Sequence, residues 1–432
     1  MPRRFVSLVA LLLPLAAAAQ GGGWQLLPNS PVAGRFEDAS FVSPTTGWVV
    51  DGEGRTHRTT DGGNTWTLRS DVTGYLRSVA FVSQTKGWVG VLFSGIRLYE
   101  TLDGGATMTN ITNRISPAVS GGICGLWAVN ADTAYGVGQY SEPAYVIKTT
   151  NGGASWQSTP IPAALATSLI DVYFFDGRRG LAVGGTNGID PGSRAVVLGT
   201  EDGGQTWTRR FVSSGTGTTS EWAWKITFPT PEVGYVSIEY EGSTSTGKVL
   251  KTTDGGQTWT ELPVPGGDSM QGVGFLTPLR GWTSGRGTTR TTTDGGATWA
   301  PATGLDGSVN RFEFFGDTLG YAMGQRVYRL RATTTAAEPE PEPVPTRTDL
   351  ISVAPNPSGG PVAITYHLAT AGPVAVVLFD ALGRQVATLA SGEQGAGLHR
   401  VVWEGERAAG VYYVRLVAGA AVRMRPVVRA GR

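Results

Sequence analysis

Between residues 36 and 331 the chain repeats one pattern of apolar and polar positions. An apolar run gives way to a short polar turn, then to a glycine and an aromatic or aliphatic residue that open a second apolar run. The clearest copies are Phe41 to Val49 and Phe81 to Val89; five more fall at Ala128 to Tyr135, Phe174 to Leu181, Phe228 to Tyr235, Phe275 to Trp282 and Phe314 to Tyr321. Each predicts two strands joined by a tight turn. Six of the seven units continue into an eight-residue box, Thr59-Thr60-Asp61-Gly62-Gly63-Asn64-Thr65-Trp66 in the first. The later boxes run Thr101 to Met108, Thr149 to Trp156, Thr200 to Trp207, Thr252 to Trp259 and Thr292 to Trp299. Their anchors Asp61, Asp103, Asn151, Asp202, Asp254 and Asp294 lie 42, 48, 51, 52 and 40 residues apart.

Such a period predicts one small antiparallel sheet per repeat. Inside the box, Asp-Gly and Gly-Gly supply the positive φ angles of a hairpin turn. The short Asp or Asn side chain accepts backbone N–H bonds from the turn itself. The closing Trp re-enters a strand as a core peg, so all six boxes read as structural. The seventh unit, from Asn310, ends at Leu330 without a box, whereas Gly22-Gly23-Trp24-Gln25-Leu26-Leu27-Pro28 resembles the close of one. If that N-terminal segment supplies the missing outer strand, the ring closes with no unpaired edge. The expected fold is all-β: a seven-bladed β-propeller over residues 22–331, followed by a small Ig-like β-sandwich.

The boxes resemble the Asp-box, or BNR, repeats of sialidases and related propellers. With the paired Gly-aromatic motifs, they look most like the photosystem II assembly and stability factor family. That resemblance implies the fold; such propellers include glycosidases, receptor ectodomains and assembly factors. It also implies that the boxes sit away from any catalytic face. The Phe/Tyr-Arg-Ile-Pro arginine motif of sialidases does not occur in this sequence.

Met1 to Ala19 reads as a secretory signal peptide: Arg3 and Arg4, an apolar run from Phe5 to Leu15, then Ala17-Ala18-Ala19. The run is shorter than the roughly 20 residues that span a bilayer, and Pro14 interrupts it, so no transmembrane segment is expected. The 63 glycines, 25 prolines and 13 tryptophans fit an exported β-protein with many turns. A formal net charge of +1 supplies no field to attract nucleic acid. Cys124 is the single cysteine, so no intramolecular disulfide can form, and it reads as a buried core residue.

After Arg331 the alternation Glu338-Pro339-Glu340-Pro341-Glu342-Pro343 marks an extended linker over residues 332–348. Residues 349–432 then read as a β-sandwich with strands at Val362–Tyr366, Val374–Phe379, Gln385–Leu389, His399–Trp403, Val411–Leu416 and Arg423–Val428. Pro355-Asn356-Pro357, Asp380 to Arg384, Gly397-Leu398-His399 and Ala409 to Tyr413 resemble the C-terminal sorting domain of type IX secretion cargo. The resemblance implies export through the outer membrane by the type IX machinery, to the cell surface or the medium.

The longest connections, at 139–144, 185–194, 213–221 and 239–247, fall on the face opposite the boxes, which makes that face the candidate binding surface. At the mouth of the channel the repeat register aligns Glu37, Arg77, Cys124, Ile170, Trp224, Gln271 and Asn310, with Asp38, Asp171, Lys225 and Arg311 beside them. Arg77, Tyr140, Trp222 and Trp224 are the candidate ligand contacts, the aromatics as stacking platforms for a sugar or a protein partner. A glycosidase needs two carboxyls about 5–9.5 Å apart, and Glu37 or Asp38 with Asp171 is the pair available for that alternative. No catalytic residue is assigned. His57 is the only histidine before the linker, and neither a Cys/His cluster nor an acidic calcium loop occurs, so no metal or cofactor is expected.

Overall fold

The computed structural model describes residues 23–331 and 348–430, apart from 139–142, 189–190, 216–219, 243–245, 355, 359 and 405–407. The signal-peptide assignment and the linker as far as residue 347 lie outside the described residues. The chain divides into two compact units at Thr334/Thr335.

Among the described residues the first unit forms seven small sheets, antiparallel but for one added strand, six of four strands and one of five. Their innermost strands are Phe36–Phe41, Tyr75–Phe81, Ile123–Ala128, Ser168–Phe174, Glu221–Thr227, Met270–Phe275 and Arg311–Phe315. Each touches the next, and the last returns to the first, so the sheets form a closed ring. The seventh sheet takes its outer strand from the start of the chain: Trp24–Leu26 pairs antiparallel with Val327–Arg331, Trp24 opposite Leu330. Trp24 is 6 % exposed and meets Trp282 edge-on at 5.3 Å between ring centroids. In the five-stranded sheet, Ile115–Ser116 adds parallel to Trp156–Pro160.

The Gly-aromatic pattern has a steric cause. A Cβ at Gly47 would sit 2.2 Å from the Phe41 ring, and Gly87, Gly180, Gly234, Gly281 and Gly320 are pressed in the same way by a phenylalanine at or within one residue of the end of the preceding strand. That phenylalanine also receives the aromatic of the neighbouring sheet: Trp48 stacks on Phe81 at 3.6 Å, Tyr135 on Phe174 at 3.5 Å, Tyr235 on Phe275 at 3.4 Å. Tyr321 of the last sheet stacks on Phe41 of the first at 4.4 Å. Each such pair contributes about 0.5–1.5 kcal/mol beyond the area it buries.

Box tryptophans approach the same phenylalanines edge-on, Trp66 to Phe41, Trp207 to Phe174, Trp259 to Phe228 and Trp299 to Phe275, at 6.1–6.4 Å. They are unequal as core. Trp156, Trp207 and Trp259 are buried, whereas Trp66, Trp299 and Met108 are half-buried. All of them pack against apolar clusters, but Trp66, Trp299 and Met108 do so with part of the side chain exposed.

Each box is wired alike. The Thr59 hydroxyl donates to Asp61 Oδ1 (3.0 Å) and accepts from Gly63 N–H (2.8 Å), while Asp61 accepts the Thr65 N–H (2.9 Å) and hydroxyl (2.6 Å). Gly62 and Gly63 hold φ of 71° and 83°, the left-handed region where a side chain is strained. Asp103, Asp202, Asp254 and Asp294 repeat the pattern. At Asn151 the direction reverses: Nδ2 donates to Ser155 Oγ at 2.9 Å.

Among its described residues the second unit has seven strands in two sheets. Asp349–Ala354, Val362–Leu368 and Gly397–Trp403 form one; Gly372–Asp380, Gln385–Gln394, Gly410–Ala418 and Ala421–Arg429 form the other. Leu350, Ile364 and Tyr366 from the first sheet share one apolar core with Val376, Leu378, Val414 and Leu416 from the second. The strand Asp349–Ala354 had no counterpart in the apolar pattern, because its core-facing register is broken by a shift between Leu350 and Ser352. Asn356 serves the last strand, its Nδ2 donating to Pro426 O (2.9 Å) and its Oδ1 accepting from Val428 N–H (2.7 Å). At the hairpin, Asp380 accepts the N–H groups of Leu382 and Arg384 and pairs with the Arg384 guanidinium at 2.8 Å.

Candidate functional site

Six of the seven inner strands carry a β-bulge, between Phe36 and Asp38, Leu76 and Ser78, Ile123 and Gly125, Leu169 and Asp171, Ala223 and Ile226, and Met270 and Gly272. A bulge leaves one residue outside the ladder and re-aims its side chain. The bulged residues are Glu37, Arg77, Cys124, Ile170, Trp224 with Lys225, and Gln271, the positions that the repeat register aligns. The inner strands run from the long-loop end of the channel to the box end, where the box N–H of Gly62 reaches Thr45 O at 2.9 Å.

Toward the loop end the polar groups converge on Glu37. Arg35 grips its carboxylate with two bonds (2.7 and 2.9 Å), Tyr75 donates to it at 2.5 Å, and Arg77 lies 3.7 Å away. Burial would raise the Glu37 pKa, but Arg77 and Arg35 outweigh it and hold the carboxyl below its usual range. Asn310 donates to Glu37 O (2.7 Å) and accepts the Trp224 indole N–H (3.1 Å), while the Arg77 guanidinium covers the Trp224 ring at 5.1 Å. Arg35 also donates to Gln271 (2.9 Å), which donates to Glu239 at 2.6 Å. Burial raises the Glu239 carboxyl above its usual range.

Deeper in, Arg311 bridges Asp38 (2.5 Å) and Asp171 (3.3 Å), and Lys225 stands 3.7 Å from Asp38. Backbone N–H groups of Val79 and Ile226 complete the two carboxylates. Desolvation is outweighed at Asp38 by Arg311 and Lys225, which keep its pKa low. For Lys225, burial and Arg311 push the pKa down to about 8 against Asp38 and Asp171.

The candidate contacts are therefore not one platform. Arg77 and Trp224 form a buried pair, Trp224 with its nitrogen bonded and one face covered, which leaves it unsuited to stack on a sugar. Trp222 is half-buried and donates to Gly188 O, stitching the strand to a long loop. Tyr140 lies outside the described residues, as do parts of all four long loops. Glu37, Asp38 and Asp171 are at most 1 % exposed and tied to cations. Cys124 is buried, and His57 packs edge-on against Phe36. Among the described residues no group of three or more His, Cys, Asp or Glu side chains could hold a metal, and no helix is long and apolar enough to cross a membrane.

Repeat alignment alone missed Arg35, Tyr75, Glu239, Trp127 and Glu313. Carrying the register two or three positions along each inner strand would have found the last two. Together with Arg311, Ala39, Ala80, Phe81 and Leu126 they line a cavity of about 170 Å³ at the box end of the channel.

No protein-family model matches the chain, and no curated protein does. Solved structures do, and what they define is a β-propeller. YCF48 bound to a D1 peptide superposes with a TM-score of 0.53 at 22 % identity, over 73 % of this chain and 98 % of that one. PorZ, a surface component of the type-IX secretion system of Porphyromonas gingivalis, gives 0.50 at 12 % identity over 93 % and 60 % of the two chains. An ancestral GH74 enzyme gives 0.52 at 14 % identity over 94 % and 63 %. At these identities the likeness is one of fold.

Proposed function

We propose that this is an exported, non-catalytic seven-bladed propeller that binds a protein or polysaccharide partner, and that residues 349–432 are its address for type IX export. The observation that carries the non-catalytic reading is the state of the three carboxylates available as a hydrolytic pair, Glu37, Asp38 and Asp171. A glycosidase needs one carboxyl that donates a proton and a second that is open to substrate or water. Glu37, Asp38 and Asp171 are buried; arginine and lysine hold Glu37 and Asp38 in their charged form, and Arg311 occupies Asp171 from its open side. Peptide binding by YCF48 makes a protein partner the first class to test, with the long-loop end of the channel as the surface.

A panel of polysaccharides and peptides, scored for both binding and release of reducing ends, tests this reading. Binding without release is the expected result; release by the wild type that is lost in Asp38→Asn or Asp171→Asn would replace it with the glycoside hydrolase alternative. For the address, removal of residues 346–432 should leave a folded propeller in the periplasm. Undiminished export of the truncated chain would reassign the module to binding.

A further inference from the structure

The geometry points to a second site: the box-end cavity of the channel takes a single organic cation, an ammonium or guanidinium group on an aliphatic stem, with Glu313 as its counter-ion and Trp127 as its wall. Among the described residues the Glu313 carboxylate makes no hydrogen bond or ion pair, and the half-buried side chain lines the cavity. With Glu313 ionised, the charges around it do not balance. Asp38, Asp171 and Glu313 supply three acids against the two bases Arg311 and Lys225, and the donor groups of Arg311 are already turned to Asp38 and Asp171. One positive charge completes the set.

The cavity suits that charge in size and lining. Its volume of about 170 Å³ is well under the roughly 300–1,000 Å³ of pockets for drug-sized ligands, which leaves room for one side chain or a small amine. Ala39, Ala80, Ala128 and Leu126 offer apolar contact to a methylene stem. Trp127 is half-buried and packs against Tyr173 at 4.4 Å, an aromatic surface of the kind that attracts cations. The site lies at the opposite end of the channel from the loop face and does not depend on what binds there. Burial, with Asp38 and Asp171 adding to it against Arg311, raises the Glu313 pKa to about 7, so the negative charge that a cation needs fades below neutrality.

The test is titration calorimetry of the full chain and its variants with n-butylammonium and n-butylguanidinium, with n-butanol as the uncharged control. Saturable binding of the cations at pH 8, weaker by at least about tenfold in Glu313→Gln and in the wild type at pH 5.5, is expected. Trp127→Leu, which keeps the charge, should weaken binding about fivefold. Equal binding by Glu313→Gln, equal binding of butanol, or no binding of either cation overturns the site without touching partner binding at the loop end. A peptide with one central lysine that binds more tightly than butylammonium identifies a protein side chain as the occupant; equal or weaker binding identifies a small amine.

Discussion

The rim of the propeller and its channel are built from the same repeat and have gone opposite ways. On the rim, all six boxes keep the same turn, with the threonine hydroxyl accepting the second glycine's N–H at 2.8–3.0 Å in every copy. In the channel, the equivalent positions hold Glu37, Arg77, Cys124, Ile170, Trp224, Gln271 and Asn310, no two alike. A turn that satisfies its own polar groups has one good solution, so each copy arrives at it. Channel residues are satisfied largely by residues of other sheets, so each can differ provided its partners differ with it. The rim is therefore where local physics is read, and the channel is where the ring is held together across the chain.

The sharpest way to break this contrast is to open the ring. Deleting Trp24 to Pro28 removes the outer strand of the seventh sheet and the Trp24 contacts with Trp282 and Phe312. The loss should exceed the ~3–5 kcal/mol typical of one buried tryptophan, seen as a collapse of the thermal midpoint. An unchanged midpoint would mean that the six remaining complete sheets stand without closure.

Next in size is Arg311→Met. It leaves Asp38 and Asp171 buried without their shared guanidinium, and breaking a buried pair from one side costs about 3–5 kcal/mol. Denaturant unfolding should show the loss, with Asp38→Asn added to Arg311→Met recovering part of it. A loss below about 1 kcal/mol would make the channel network as dispensable as surface ion pairs.

These two experiments also mark how far the sequence could be read. The sheets and their order were legible because strand, turn and box recur in register, and the N-terminal strand because its Gly-Gly-Trp matches the close of a box. The Glu37, Asp38, Asp171 and Arg311 positions were legible as neighbours of the channel, but their pairing was not: Arg311 meets Asp38 across 273 residues of sequence, and no local pattern records such a partner. Exposure of the box tryptophans was hidden for a related reason, since it depends on how far the adjoining sheet covers each one.

That last point predicts a graded series. Trp207→Ala, at a site 8 % exposed, should cost roughly 3–5 kcal/mol. Trp66→Ala, at a half-buried site, should cost less than half as much. Met108→Trp should be neutral or slightly stabilising, because methionine at that half-buried place specifies its packing weakly. Equal losses for the two alanine variants, measured by denaturant unfolding, would return the boxes to a uniform core role.

The smallest effect belongs to the box carboxylates and is visible through pH. Asp202 and Asp294, held first by the hydroxyl and then by the N–H of Thr206 and Thr298, are drawn down to about 2 from the ordinary 3.8. A carboxyl depressed in this way stabilises the fold fully above pH 3.8 and loses that contribution as pH falls toward 2. Because these groups face solvent, each contributes less than about 1 kcal/mol. Asn151 is the built-in control: its amide donates to Ser155 and cannot titrate. Asn151→Asp lets the Ser155 hydroxyl turn and donate as Thr206 does, so its stability relative to wild type should stay constant from pH 8 to pH 5 and decline between pH 4 and pH 2. Asp202→Asn should do the reverse, narrowing its deficit as the wild type is acidified. Parallel acid-unfolding curves for all three chains would show that the box aspartates hold their turns by geometry alone and that their charge contributes nothing.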